Sequence, residues 1–363
     1  MAENGNARAW GRSNEPTPYA TWQKSEGIPI HTGSYVSDLK TVAVAPWARV
    51  GQKGAFVNLA DQEEDDGRVI EIAPGGQTTV QHHLFEATTF VVDGRGATSF
   101  WQEDGQAKQT VEWQRGSLFA PPLNCYYQHF NLDGQQPARL FSVTNAPNVI
   151  NLFCDPDFVF NVVYPFTNRY DTRADYFTDP GKSIGKRDWQ TNFVPDTRGF
   201  KLIEWLERGA GGTTINFRLG NNTMMAAHIS EFPTGTYKKA HRHGVGAHVI
   251  ILGGEGYSLL WFPGDKERTK VDWQDGAVLS PKAGEYHQHF NTGPTPARYL
   301  ALRFGVPGVV SGRSDRNAEW STEAELNGID YELEDPAIFE LYSEECKRHG
   351  AEVRLPKPAY ATR

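Results

Sequence analysis

The stretch 271–291, VDWQDGAVLSPKAGEYHQHFN, has a counterpart 160 residues earlier at 111–131, VEWQRGSLFAPPLNCYYQHFN. Both stretches place Trp, Gln and Gly at the same positions near the start, and both end on QHFN. Two shorter pairs follow the same order, namely GRG (94–96) with GEG (254–256), and PAR (137–139) with PAR (296–298). Matches that keep their order at nearly one spacing indicate a duplicated domain.

Both copies are predicted to be β structure. The runs ATTFVVDGRGATSFW (87–101) and AHVIILGGEGYSLLW (247–261) are β-rich and are interrupted by glycines, as in a hairpin. Helical periodicity is nearly absent from both copies, so we expect an all-β protein with two tandem barrels or sandwiches. The expected divisions are an N-terminal arm packed on the barrels (1–60), a first barrel (61–147), a connecting segment (148–215), a second barrel (216–312) and an extension (313–363) with a short helix near 335–350.

The composition excludes several classes of protein. The net charge is −8 and no basic stripe exists, so nucleic acid is not an expected partner. No apolar run approaches the length of a membrane span, and the polar N-terminus lacks a secretion signal. Three widely spaced cysteines, Cys125, Cys154 and Cys346, fit a reducing compartment better than a disulfide framework. We therefore expect a cytoplasmic protein.

Histidines cluster in the second copy. His241 and His243 are two residues apart, so in a strand they lie on the same face and are able to bind one cation. His287 and His289 repeat this spacing downstream. If the two strands pair within a barrel, His287 completes a three-histidine metal site. The alternative is a group of hydrogen-bonded core histidines, which four residues at this spacing disfavour.

These residues resemble the two motifs of the cupin superfamily. The first motif is matched by Gly235, His241 and His243, and the second by Gly276, Gly284, His287 and Asn291, with Pro281 displaced by one position. The resemblance covers both copies and implies two tandem cupin barrels, which are double-stranded β-helices or jelly rolls. It also implies that His241, His243 and His287 bind a divalent metal.

The sequence departs from the cupin pattern where a glutamate ligand is expected. That position holds His248, or Ala247 if the gap is one residue shorter. In lacking the glutamate, the chain is similar to the gentisate-type ring-cleaving dioxygenases, which are two-cupin proteins with three histidine ligands. His248 as a fourth metal ligand is the alternative, and the parity of the strand decides between the two.

The first copy has poorer ligands. Gln81 and Tyr127 occupy the positions of His241 and His287, whereas His83 and His129 are retained and Glu86 lies nearby. We expect this copy to be a scaffold. The alternative is a second metal site made of two histidines and a carboxylate.

Four further residues are candidates for roles beside the metal. His289 shares a face with His287 and is a candidate acid–base group, although its counterpart His129 in the degraded copy favours a structural role. Tyr257, Trp261 and Tyr286 are candidates for contacting substrate, with core packing as the alternative for each.

The function predicted from these features is that of a metal-dependent enzyme acting on a small molecule. A non-haem Fe(II) dioxygenase that cleaves a chelating substrate, such as an aromatic hydroxy acid or diketone, is preferred. A redox-neutral lyase, decarboxylase or isomerase using Mn, Zn or Ni is the second interpretation, and a non-catalytic small-molecule-binding bicupin is the third. Arg218, Arg242 and Arg303 are weaker candidates for binding an anion. We also expect a homo-oligomer, a dimer or larger.

Overall fold

The computed structural model describes residues 15–61, 63–102, 108–205, 209–244, 246–305 and 328–360. Within these residues the chain forms two β barrels, each made of a large and a small sheet. None of the helices described is long and apolar enough to cross a membrane. The predicted all-β class with two tandem barrels is confirmed.

Most strands of the first barrel come from the first half of the chain. Its large sheet contains β1 (Ile30–Gly33), β3 (Ala45–Trp47), β4 (Gln52–Leu59), β5 (Asp66–Ile72), β6 (Ala87–Asp93), β9 (Leu118–Phe119), β11 (Ala138–Thr144) and β14 (Phe193–Val194). Its small sheet contains β7 (Arg95–Trp101), β8 (Gln109–Gln114) and β10 (Tyr126–Asn131). The large sheet has the order β1-β4-β5-β11-β6-β9-β14, with β3 beside β4, and β7 is the central strand of the small sheet.

The second barrel repeats this arrangement. Its large sheet contains β2 (Tyr35–Val36), β12 (Lys182–Ser183), β13 (Asp188–Thr191), β15 (Ile203–Glu204), β16 (Thr213–Leu219), β17 (Met225–Phe232), β20 (His248–Gly253), β23 (Val278–Leu279) and β25 (Ala297–Phe304). Its small sheet contains β18 (Thr236–Tyr237), β19 (Ala240–His241), β21 (Gly256–Trp261), β22 (Thr269–Trp273), β24 (Tyr286–Asn291) and β26 (Gly328–Ile329). The large sheet has the order β12-β13-β16-β17-β25-β20-β23-β2, with β15 beside β16, and the small sheet has the order β22-β21-β24-β19-β26, with β18 beside β24.

One repeated glycine explains part of the sequence repeat. Gly96 and Gly256 lie at the start of two equivalent strands, β7 and β21, of the small sheets. A Cβ atom on Gly96 would lie 2.1 Å from the carbonyl oxygen of Phe130, and one on Gly256 would lie 2.0 Å from that of Phe290. The indole rings of Trp113 and Trp273 close the same space. Glycine is therefore required for close backbone approach in both barrels.

The two large sheets pack against each other through a shared apolar core. On β20 the alternation of a strand sends Ile250 and Leu252 into this core, while Val249 and Ile251 face the interior of the second barrel. Fully buried residues of the first barrel, such as Phe141, contribute to the same core. This packing fixes the two barrels face to face.

The segments before each barrel exchange strands. β2 lies in the predicted N-terminal arm, yet it pairs with β23 of the second barrel. β14 lies in the predicted connecting segment and pairs with β9 of the first barrel. β4 also falls within the predicted arm but is a strand of the first large sheet. Residues 1–14 of the arm, 306–312 of the second barrel, and 313–327 and 361–363 of the extension lie outside the described residues.

Four α-helices and one 3₁₀ helix are described. They are α1 (Pro18–Ser25), α2 (Ala146–Phe153), α3 (Pro156–Asn161), α4 (Pro336–His349) and the 3₁₀ turn Tyr331–Leu333. The predicted C-terminal helix is confirmed as α4: Asp335 caps it by accepting from the Ala337 N–H at 3.0 Å, and Gly350 ends it in the left-handed conformation. The first three helices were not predicted.

Candidate metal centre

Three histidines meet at the inner face of the second small sheet. His241 on β19 lies directly across from His287 on β24, and His243 follows two residues later. One nitrogen from each ring lies within 4.8 Å of those of the other two. The ring centroids are 4.1 Å apart for His241 and His287 and 4.9 Å apart for His243 and His287. The structure thus brings together the three residues nominated by the motifs.

The ring orientation suits metal binding. Nδ1 of His241 lies 3.4 Å from the carbonyl oxygen of Lys239, and Nδ1 of His287 lies 3.4 Å from that of Glu285. When Nδ1–H donates to these carbonyls, each Nε2 keeps its lone pair for a cation. His287 is buried, and the other two rings are half-buried. A set of three imidazoles fits a divalent transition metal and leaves coordination positions for a small ligand.

A small, partly open cavity of about 40 Å³ adjoins the cluster and is bordered by His241 and His243. Its opposite wall is the inner face of β16, β17 and β25, where residues two apart point inward. This wall is polar: it carries Thr214, Asn216, His228, Ser230, Tyr299 and Arg303. Lys238, which precedes His241 by three residues, also borders the cavity. The other faces of these strands supply apolar residues to the core between the barrels.

His248 is not brought to the cluster, and the alternative of a fourth histidine ligand is corrected accordingly. Its ring is fully buried between the barrels, on the same face of β20 as Ile250. Nε2 lies 3.3 Å from the carbonyl oxygen of Val57, and Nδ1 lies 3.7 Å from Asp65. Burial lowers the pKa of His248 to about 4, so the ring is neutral at pH 7. The parity of β20 turns this residue away from the metal site.

His289 lies beside His287 but is held by a chain of hydrogen bonds. Its Nδ1 is 2.7 Å from Oγ of Ser258, which also accepts from the Trp273 indole at 2.9 Å. The first barrel contains the same chain at the same distances: His129, Thr98 and Trp113. Because the same hydrogen-bond chain persists in the first barrel, where no three-ligand group is found among the described residues, it favours a structural role for His289. Its catalytic role remains a prediction.

The aromatic residues proposed to contact substrate lie on the wrong face of the sheet. Tyr257 and Trp261 pack in an apolar cluster with Tyr342 of α4, outside the barrel. Tyr286 alternates with His287, so it also faces outward, 5.5 Å from the Trp261 ring. On β21, Ser258 and Leu260 point inward instead, since they lie across from His289 and His287. The expected substrate contacts are therefore corrected to packing beneath α4.

In the first barrel, the position equivalent to the histidine cluster is occupied by side chains that form hydrogen bonds within the protein. Nε2 of His83 lies 2.9 Å from the Tyr127 hydroxyl, and its Nδ1 lies 2.8 Å from the Phe85 carbonyl. Burial lowers the pKa of His83 and of His129 to about 3. Gln81 points elsewhere, donating to Thr79. Among the described residues, a three-ligand group is found in the second barrel and not here.

Glu86 does not face these histidines. Its carboxylate lies between the barrels, where it pairs with Arg169. It also accepts backbone N–H bonds from Thr223, Met224 and Met225 at 2.7–2.9 Å. This placement does not fit the alternative of a metal site made of His83, His129 and Glu86.

The first barrel is therefore expected to bind no metal. Changing His83 to Ala should lower stability by about 1–3 kcal/mol, because the Tyr127 hydroxyl loses its buried partner. Metal content measured by elemental analysis should not change. A fall in stoichiometry from two ions to one on this substitution would contradict the scaffold interpretation.

Sequence reasoning missed the polar wall of the cavity. Arg303 was a weak candidate for anion binding and does line the cavity, whereas Arg218 is exposed and Arg242 stacks over the Tyr286 ring at 5.2 Å. Lys238 was not singled out. The available signal was its place between Gly235 and His241 of the first motif, where a buried lysine is unusual.

Comparison with known proteins finds relatives in fold but not in sequence. No protein-family model and no curated protein sequence matches the chain. Among solved structures, 470 chains match. One is Bacillus subtilis oxalate decarboxylase at pH 4.6, with 13% identity and a TM-score of 0.50, covering 75% of this chain and 76% of that chain.

Two further structures of oxalate decarboxylase match equally well. One was studied for the Mn(II) centres of the Bacillus subtilis enzyme and shares 14% identity, with a TM-score of 0.50 and coverage of 74% of this chain and 76% of that chain. The other was studied for substrate binding and a switch in reaction specificity, and it shares 13% identity with the same TM-score and coverage. At these identities the likeness concerns the fold: the chain has the architecture of two tandem cupin barrels.

Proposed function

We propose that this protein is a metal-dependent enzyme whose site lies in the second barrel. The observation that carries the proposal is the cluster of His241, His243 and His287, which adjoins a small polar cavity. One ring nitrogen from each of the three histidines lies within 4.8 Å of those of the other two, which is the arrangement that a shared cation requires.

A bound divalent ion would act as a Lewis acid that polarises a substrate oxygen. The chain's own residues orient the substrate. The cavity wall made of β16, β17 and β25 supplies hydroxyl, amide and cationic groups. Its volume of about 40 Å³ favours a substrate of a few non-hydrogen atoms over an aromatic ring.

We propose a redox-neutral reaction, the decarboxylation or related cleavage of a small carboxylic acid, with Mn(II) as the preferred metal. The small cavity and the likeness in fold to oxalate decarboxylase support this choice over the initially preferred Fe(II) dioxygenase. A homo-oligomer and a cytoplasmic location remain parts of the proposal.

The dioxygenase is the second candidate, with Fe(II) and a small chelating substrate such as a hydroxy acid or diketone. One observation favours it: the candidate ligands found among the described residues are three imidazoles, and the group contains no carboxylate. This matches the motif departure that resembles the gentisate-type enzymes.

Oxygen dependence separates the two candidates. Protein loaded with Mn(II) or Fe(II) would be incubated with a panel of C2–C4 carboxylic acids, with and without dioxygen, while CO₂ release and dioxygen uptake are followed. We expect CO₂ release with Mn(II) that is unchanged under strict anaerobiosis. Turnover that requires both dioxygen and Fe(II) would contradict the redox-neutral reaction and support the dioxygenase instead.

A further inference from the structure

The C-terminal segment 328–355 lies along the residues that lead into the metal cluster. At one end, Gly328 of β26 lies directly across from His241 of β19. At the other end, the backbone N–H of Arg354 donates to the carbonyl oxygen of Gly235 at 2.8 Å. Between these ends, apolar side chains of α4 pack on the outer face of the small sheet. The segment thus holds the chain from the glycine of the first motif to its first histidine.

Glu334 is the buried carboxyl group of this segment, with 4% of the residue exposed. It accepts hydrogen bonds from the Tyr237 hydroxyl and, at 3.1 Å, from Nε2 of Gln288. Tyr237 ends β18, four residues before His241, and Gln288 follows His287 on β24. Because side chains alternate along a strand, Gln288 faces away from the metal cluster. One carboxyl group therefore bridges, from behind the sheet, the chain that leads to His241 and the strand that carries His287.

The Gln288 amide extends this bridge. Its Nε2 also donates to the carbonyl oxygen of Lys238 at 3.0 Å, so Glu334 fixes the amide that ties β24 to the chain before His241. Contacts that orient a metal ligand from behind have a large effect on metal affinity. If β19 moved away from β24, the His241 ring would no longer reach an ion shared with His287.

The first barrel provides an internal comparison. Gln128 occupies the position of Gln288, and its Nε2 makes the same contact, with the carbonyl oxygen of Thr78 at 2.7 Å. The covering of the edge differs, since Val80 is 48% exposed, whereas Ala240 at the equivalent position is 1% exposed. The amide contact therefore belongs to the duplicated fold. The covering segment belongs to the barrel in which the three-histidine cluster is found.

We propose that the C-terminal segment positions His241 for metal binding and that Glu334 is the residue through which it acts. This inference rests on the proposed function, because it assigns control of the metal affinity to a part of the chain outside the metal cluster. Glu334 is a positioning residue, since it lies behind the sheet and touches neither the ion nor the substrate. Loss of its contacts lets β19 separate from β24, and the ion then keeps two histidines instead of three.

The test measures binding of Co(II) to the metal-free full chain by titration calorimetry, together with the visible absorption of the bound ion, which depends on its ligands. Glu334→Ala removes the bridging carboxyl group. We expect it to weaken Co(II) binding at least about tenfold, the usual effect of removing a group that orients a ligand, and to change the absorption spectrum at saturation. Glu340→Ala makes the same change on the exposed face of α4 and should alter neither.

A second control separates positioning from a general loss of stability. Glu86→Gln breaks the ion pair with Arg169 between the barrels, so it should destabilise the fold and leave Co(II) affinity and spectrum unchanged. Unchanged affinity in Glu334→Ala, or an equal weakening in Glu86→Gln, would overturn the inference. If Glu334→Ala does not fold, Glu334→Gln replaces it and should weaken Co(II) binding about threefold, because its amide N–H₂ faces one of the two donors. Wild-type affinity in that variant would also overturn the inference.

Failure of the proposed function gives a different result. If the wild type binds no Co(II), the metal site fails, and amide hydrogen exchange of residues 235–243 then decides the role of Glu334 separately. Faster exchange in Glu334→Ala than in Glu340→Ala would support its hold on this strand. Equal exchange in the two variants would refute it.

Discussion

His243→Ala is expected to reduce bound metal from near one ion per chain to less than about a tenth of an ion, because two imidazoles hold a divalent ion far more weakly than three. Activity should fall at least about a thousandfold, since the Lewis acid is lost with the metal. The His243 ring is half-buried, so the fold should tolerate its removal. Elemental analysis of protein purified without chelator measures the first effect, and the carboxylic acid assay measures the second.

Two variants sharpen this test. His287→Ala removes the ligand across from His241 and should have the same effect on metal content. His31→Ala makes the same substitution on β1 of the first barrel, where the ring contacts the Ala43 carbonyl at 2.9 Å. It should leave metal content unchanged. Full activity in metal-free wild-type protein would refute the metal-dependent function.

The repeat predicted the fold because it reports long-range structure directly. Two copies at one offset must fold alike, and glycine turns with short strands indicate a barrel. The exchanged strands β2 and β14 were not predictable in this way. Each is two residues long, which is too short for alternation to be visible. β2, which precedes the first barrel, pairs with the second, and β14, which precedes the second barrel, pairs with the first.

Some of the features that were not predicted do have a signal in the sequence. The three unpredicted helices each have Pro in the first turn, as α4 does, and α1 and α3 are capped by Thr17 and Asp155. Strand parity also carried information that was used for the ligands but not for the aromatic residues. Tyr286 precedes an inward-facing His287 and must therefore face outward.

The environment of the site depends on features that the motifs do not specify. The motifs indicated His241, His243 and His287 because ligand spacing follows from the geometry of the paired strands. The orientation of His248 depended on where β20 begins after His243, which the motifs do not specify. The placement of Lys238 at the cavity depends on contacts with Ser230 and Tyr299, which lie on two other strands. Side chains from separate strands come together in this way only when the barrel is packed, so the sequence motifs do not show it.

Glu86→Gln is expected to lower the free energy of unfolding by about 3–5 kcal/mol, the usual effect of breaking a buried ion pair by changing one partner. The substitution leaves Arg169 without its anion and sets an amide group against the N–H donors of Met224 and Met225. These contacts join the first barrel to the start of β17 and the residue before it, so without them the large sheets should come apart more easily.

Urea unfolding at pH 7 measures this loss, and Glu112→Gln on the exposed face of β8 serves as the control with the same chemical change. Because Glu86 lies away from His83 and His129, metal content should be the same in both variants and in the wild type. A loss below about 1 kcal/mol, within the range of an exposed ion pair, would show that the network does not hold the barrels together. Loss of an ion on Glu86→Gln would instead restore the second metal site that the geometry argues against.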